Sequence, residues 1–217
     1  AGSDQIEMEA GEGFEAVETI NVDAVDGDAN VNLTDVYGAF ILEVTATEDA
    51  NVNLINTNVT LATVSAGETA TVFVGGDTVG AWSLEVLTVV AADANVTLEG
   101  NMEDFTALNV SDVTTSLTVD TSGAEFSVSG TQFITYLIGA TSDGDNTSID
   151  VDFTGNDVRE VYQFVGGDIG EVAITAFTSG ADPMTGDRLD LSQLGVNSSG
   201  ELIFTDVGGD LVITSLG

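Results

Sequence analysis

"DANVNL" occupies residues 28–33 and recurs unchanged at 49–54, and "DANVTL" follows at 93–98. The first two copies begin 21 residues apart, and the second and third begin 44 apart, which is twice 22. Fixed spacing with a skipped copy is the mark of a repeat architecture. Inside the hexapeptide Ala, Val and Leu alternate with Asn or Thr. That period of two sends alternate side chains to opposite faces of a β-strand.

Similar short alternations run through the chain, as in TINV (19–22), NVNL (30–33) and SLTV (116–119). They are rich in β-branched residues and bounded by Gly, Asp and Asn, which reads as strand and turn. First strands begin near Ile20, Leu42, Leu61, Leu84 and Leu108; second strands begin near Val31, Val52, Val72, Val96 and Leu117. The offsets from first to second are 11, 10, 11, 12 and 9 residues, so each two-strand unit repeats after roughly 22. The expected fold is all-β, a parallel β-solenoid of about 22 residues per coil, with a β-sandwich as the alternative. What separates the two is that likeness recurs at every second strand: VNL matches VNL and VTL, and LEV matches LEV. A solenoid requires this, because equivalent positions meet equivalent surroundings, whereas a sandwich only permits it. On this alignment Leu42 and Leu84 are equivalent and both face the core.

After about residue 140 the text changes. It becomes richer in Gly and carries both Arg residues and the single Pro, Pro183. This divides the chain softly into a strand-repeat region, 1–140, and a C-terminal β region, 141–217, whose sheets are expected to be continuous with the first. No apolar run approaches the roughly 18 residues of a spanning helix, so direct membrane insertion is not expected. The opening AGSDQIEMEAG shows no signal peptide, which reads as a processed, trimmed or excised chain.

Charge is the most unusual feature. Thirty-seven acidic residues face two basic ones, with no His and no Cys, for a formal net charge of −35. Nucleic acid is excluded as a direct partner, since nothing is present to neutralise phosphates. Ser-His-Asp and Cys-His catalysis and imidazole metal sites are ruled out, and the chain reads as no enzyme. Self-repulsion on this scale calls for bound cations or high salt. Calcium takes six to eight oxygen ligands, and Asp-rich turns containing Gly supply them. The candidate ligands are Asp23, Asp26 and Asp28; Asp143, Asp145, Asp150 and Asp152; Asn156, Asp157 and Asp168; and Asp182, Asp187 and Asp190. The bland alternative is that Asp and Gly merely favour turns. Six N-x-S/T triplets, at Asn32, Asn58, Asn95, Asn109, Asn146 and Asn197, read either as glycosylation acceptors or as inward-facing Asn ladders of a solenoid.

Two stretches carry a resemblance. GFEAVETINV (13–22) is similar to the phrase that introduces strand repeats in bacterial surface-layer and related β-repeat proteins. TGNDV (154–158), YQFVGGD (162–168), ITAFTSGAD (174–182) and above all GDRLDLS (186–192) resemble the C-terminal region of repeats-in-toxin (RTX) proteins. That family implies calcium binding and type I secretion to the extracellular space or cell surface. It does not imply a regular calcium roll here. The glycine-rich nonapeptide is never complete, Ala176 stands where Asp is usual, and Pro183–Thr185 interrupts the pattern.

Repetition, acidity and the missing catalytic residues together lead to an expected function. The chain reads as a secreted structural protein, a subunit or segment of a surface layer, filament or matrix that self-associates and is stabilised by calcium. The alternative is a calcium-rigidified stalk or binding module of a larger RTX adhesin.

Overall fold

In a computed structural model the chain is described over residues 4–9, 19–36, 40–76, 84–102, 104–125, 133–139, 159–165, 177, 186–194, 196, 198, 202–207 and 210–215. Among them there is no α-helix. The strands form a parallel β-solenoid of about four turns, with equivalent strands about 22 residues apart.

Two rows of strands make up the stack. One row holds β2 (Thr19–Ala24), β4 (Phe40–Ala46), β6 (Val59–Ala66) and the first half of β8 (Val86–Asn101). It continues through the first half of β9 (Ala107–Glu125), then β10 (Phe133–Gly139), β11 (Arg159–Val165) and β12 (Arg188–Asp190). The other row holds β1 (Asp4–Glu9), β3 (Ala29–Thr34), β5 (Ala50–Ile55), β7 (Thr69–Gly75) and the second halves of β8 and β9. All these pairings are parallel, so β8 and β9 each run around a corner and serve both rows. A separate antiparallel hairpin, β13 (Leu202–Val207) with β14 (Asp210–Ser215), lies outside this sheet.

Parallel stacking in register places like residues in columns, and the hexapeptide shows why. Val31, Val52, Val72 and Val96 align, as do Leu33, Leu54, Val74 and Leu98, and every one of them is buried. The skipped copy is TATVFV at 69–74, in register between the second and third copies. Ala29, Ala50, Ala70 and Ala94 are also buried, small enough to sit at the start of each strand beside the corner. A slip of one residue would turn each strand inside out, so burial of one face fixes the register.

The other row corrects the sequence alignment. Leu42 is level with Ala62, Leu87 and Leu108, not with Leu61 or Leu84. Leu61 points outward, level with Ile41, and is 39% exposed. Leu84 is buried but precedes β8 and stands outside the column. Coils of unequal length cause the discrepancy, since the steps along this column are 20, 25 and 21 residues. Counting leucines at a fixed period therefore loses strand parity.

The Asn ladders face outward rather than inward. Asn30 and Asn51 are in register on the outer face, and the Asn51 carboxamide donates to Oδ1 of Asn30 at 3.3 Å. Inside, the space between the rows is filled by Ala, Val and Leu, where an unpaired amide would be costly.

Candidate functional site

The corner before each second-row strand is built from the first residue of the hexapeptide. The Asp28 carboxylate accepts the Asp49 backbone N–H at 3.3 Å, and the Asp49 carboxylate accepts the Thr69 N–H at 3.0 Å. Each Asp therefore caps the coil above it. Next to this column the backbone continues the ladder: Glu48 N–H donates to the Gly27 carbonyl at 3.2 Å and Glu68 N–H to the Glu48 carbonyl at 3.0 Å. Gly67 has no room for a side chain here, because a Cβ would collide with the Thr47 carbonyl oxygen.

The opposite corner turns through the left-handed region. Asp35 and Asn56 have φ of 53° and 50°, and Gly100 has 75°. Asn and Asp are the residues other than Gly that adopt this conformation most readily. Here they also bond one another, the Asn56 carboxamide donating to Asp35 Oδ1 at 3.0 Å.

These corners place the first group of candidate ligands. Asp23 and Asp26 are exposed, on β2 and in the turn after it, while Asp28 is half-buried in its capping role. Among the described residues no three acidic side chains converge on one point. Asp143, Asp145, Asp150, Asp152, Asn156, Asp157, Asp168 and Asp182 lie outside the described residues, as do Asn146 and Asn197. Of the remaining acceptor triplets, Asn95 is exposed in mid-strand and Asn32 and Asn58 are half-buried. The Asn109 side-chain oxygen accepts both the N–H and the hydroxyl of Ser111, its own triplet partner, at 3.1 and 2.8 Å.

The last candidate group lies in a different environment. Asp190 accepts the Ser192 N–H at 3.0 Å, and hydrogen bonding from Ser192, with a smaller contribution from Arg188, holds its carboxyl below the usual range. Asp187 approaches β11 instead, where its carboxylate accepts the Glu160 N–H at 3.1 Å. Its side chain also hydrogen-bonds the Glu160 carboxyl.

Glu160 is 3% exposed and is the only buried carboxylate among the described residues. Burial first, and then the bond to Asp187 and its charge, push the Glu160 carboxyl up to about 9. The Glu160 carboxyl therefore keeps its proton at neutral pH. Tyr136 and Tyr162 stack beside it in adjacent coils, ring centroids 5.2 Å apart and planes 19° apart. Phe177 closes on Tyr162 at 6.1 Å. Burial and the neighbouring carboxyls raise both phenols well above their ordinary range. The Tyr162 hydroxyl is enclosed without a hydrogen-bond partner among the described residues.

Sequence reading passed over Glu160, Tyr136, Tyr162 and the capping Asp49. Two signals were present. Asp heads every literal copy of the hexapeptide, and in REVYQFV (159–165) Glu160 shares parity with Tyr162 and Phe164. No family model, curated protein or solved structure matches the chain.

Proposed function

We propose that this chain is a secreted structural protein, a subunit or segment of a surface layer, extracellular filament or matrix, stabilised by calcium. The observation that carries the reading is the stack itself. Coil after coil adds in parallel on the one before, so the molecule is a short rod whose backbone repeats along its axis. Such a repeat suits lateral and end-to-end packing, in which one contact made once is made at every step.

Acidity supports the calcium element. Asp23, Asp26, Glu43, Glu48, Glu68, Glu85 and Glu99 all stand exposed on the outside of the rod. Neighbouring rods in contact lie within the Debye length of about 8 Å and repel unless cations lie between them. Irregular turns favour calcium over magnesium, which demands stricter octahedral geometry and holds its waters. Secretion and a surface location rest on the RTX-like phrases in the sequence.

Electron microscopy and thermal melting at constant ionic strength test this, with calcium, magnesium or chelator. The expected result is ordered polymers and a higher Tm in calcium, both lost on chelation and poorly restored by magnesium. Monomers whose melting ignores chelation would overturn it.

A second reading has its own observation. β12, which contains the RLD of GDRLDLS, adds in register to the same row as the repeat coils. The RTX-like phrase thus continues the rod, as it would in the calcium-rigidified stalk of a larger adhesin. Calcium-dependent monomers that never polymerise would favour this reading.

A further inference from the structure

The outer face of the second row carries short polar side chains from coil to coil, and it is broken at one place. Phe73 stands on β7 in register with Asn53 on one side and Thr97 on the other. Thr71, two residues before it on the same face, is flanked in the same way by Asn51 and Asn95. None of these five neighbours is charged, on a chain with 37 acidic residues in 217. Phe73 itself is half-buried, and Thr71, Asn51 and Asn95 are exposed.

The ring does not stand away from the sheet. A Cβ built on Gly75 would come within 2.6 Å of both Cε1 and Cζ of Phe73, so the ring leans along the strand and lies over Gly75. Gly75 is not one of the glycines with positive φ, so its backbone does not call for glycine. The ring does. Aromatic cover of a glycine can repair a gap in a sheet, yet the preceding coil fills the same two positions with Asn53 and Ile55 and has no gap to repair. This coil has exchanged both residues together. The result is an aromatic ring laid against the sheet, bordered by amides and hydroxyls.

We propose that Phe73, seated on Gly75, is the platform of a binding site for a neutral polysaccharide of flat, equatorially substituted rings, a β-1,4-linked glucan. The C–H face of such a sugar is apolar and stacks on an aromatic ring, while its hydroxyls radiate in the ring plane, toward the level of Asn53, Thr97, Asn51 and Asn95. A flat sheet face suits an extended ribbon better than a small sugar, which needs a concavity to be enclosed. The ligand must be uncharged or nearly so, because Glu99 is exposed beside Gly75 and the whole chain repels polyanions. The inference is independent of the calcium reading, since no cation takes part.

Affinity electrophoresis tests it, because so acidic a chain migrates readily in native gels. Wild type, Phe73→Asn, Phe73→Tyr and Gly75→Ala are run through gels cast with hydroxyethyl cellulose, dextran or polygalacturonate, and thermal melting verifies that each folds. Phe73→Asn places in this coil the residue that the preceding coil already carries there. Wild type should be retarded by hydroxyethyl cellulose and not by the other two polymers. Phe73→Asn should need at least about tenfold more polymer for the same retardation, or about 1.4 kcal/mol. Phe73→Tyr should bind as wild type, and Gly75→Ala, which keeps the ring but unseats it, should bind more weakly. A wild type that hydroxyethyl cellulose does not slow would overturn the proposal, as would equal retardation of wild type and Phe73→Asn. Equal slowing by dextran or polygalacturonate would also overturn it, by removing the requirement for a flat neutral ribbon.

Discussion

The coils from β2 to β7 and the segment from β10 to β12 belong to one sheet, yet they are held together differently. In the first region adjacent coils repeat one solution: Ala, Val and Leu inside, Asn and Thr outside, an Asp at the corner capping the next coil. In the second, aromatic rings replace the aliphatic column, and the buried Glu160 carboxyl, bonded to the half-exposed Asp187, sits beside them. A stack made only of the first kind is stable at every level and distinctive at none. Singular chemistry enters where the repeat is broken.

The largest expected effect tests the register that defines the first region. Leu87→Ala and Leu42→Ala should each cost about 2–5 kcal/mol in chemical denaturation, by cavity formation in a shared column. Leu61→Ala, on the outer face, should stay within about 0.5 kcal/mol. Equal losses at Leu61 and Leu87 would return the register to the fixed-period alignment.

The second region should answer to pH. The Glu160 carboxyl lies near 9 in the folded chain against an ordinary 4.5, so the folded state holds its proton more tightly. Stability from this group is therefore complete below about 4.5 and is lost as pH rises toward 9. The slope is at most about 1.4 kcal/mol per pH unit, measured in chelator. Glu160→Gln should flatten that component, while Leu61→Ala should leave it intact. A slope identical in wild type and Glu160→Gln would remove the distinction between the two regions.

Corner capping should register as a smaller effect. Asp49→Ala removes the acceptor for the Thr69 N–H and should cost about 1 kcal/mol, by analogy with a lost helix cap. Asp49→Asn keeps an oxygen there and should cost only a few tenths by the same comparison. Smallest of all, Tyr162→Phe in chelator should be neutral or stabilising by up to about 1 kcal/mol, since it deletes a buried hydroxyl with no hydrogen-bond partner among the described residues. Urea titrations of the three variants against wild type decide both points.

The difference between the regions also explains what could be read without coordinates. The hexapeptide revealed the solenoid because the same side chains answer the same surroundings several times over, which raises a weak local signal above composition. The first-row register was illegible for the opposite reason: the steps between coils are unequal, Leu61 faces outward, and the buried Leu84 lies outside the column that Leu87 occupies. Among the site residues, Asp28 was picked out, but as a ligand rather than as a cap, because turn chemistry and calcium chemistry select the same residues. Glu160 stayed hidden within REVYQFV, where Val161 and Val165 make both faces look apolar. Its partner lies 27 residues away, a distance only the stack closes.

The in-register pairing of β2 through β9 has a mechanical consequence. Hydrogen bonds between coils run along the rod, so a pull on the two ends of the chain loads the outermost coil and leaves the rest in shelter. Coils should detach singly, each freeing about 22 residues, or roughly 70–80 Å of extended chain at about 3.3–3.6 Å per residue. A tethered rod of this kind would lengthen by equal increments under tension and dissipate energy at each one. Any clamp across β11 and β12 would set the force at which that end begins to yield.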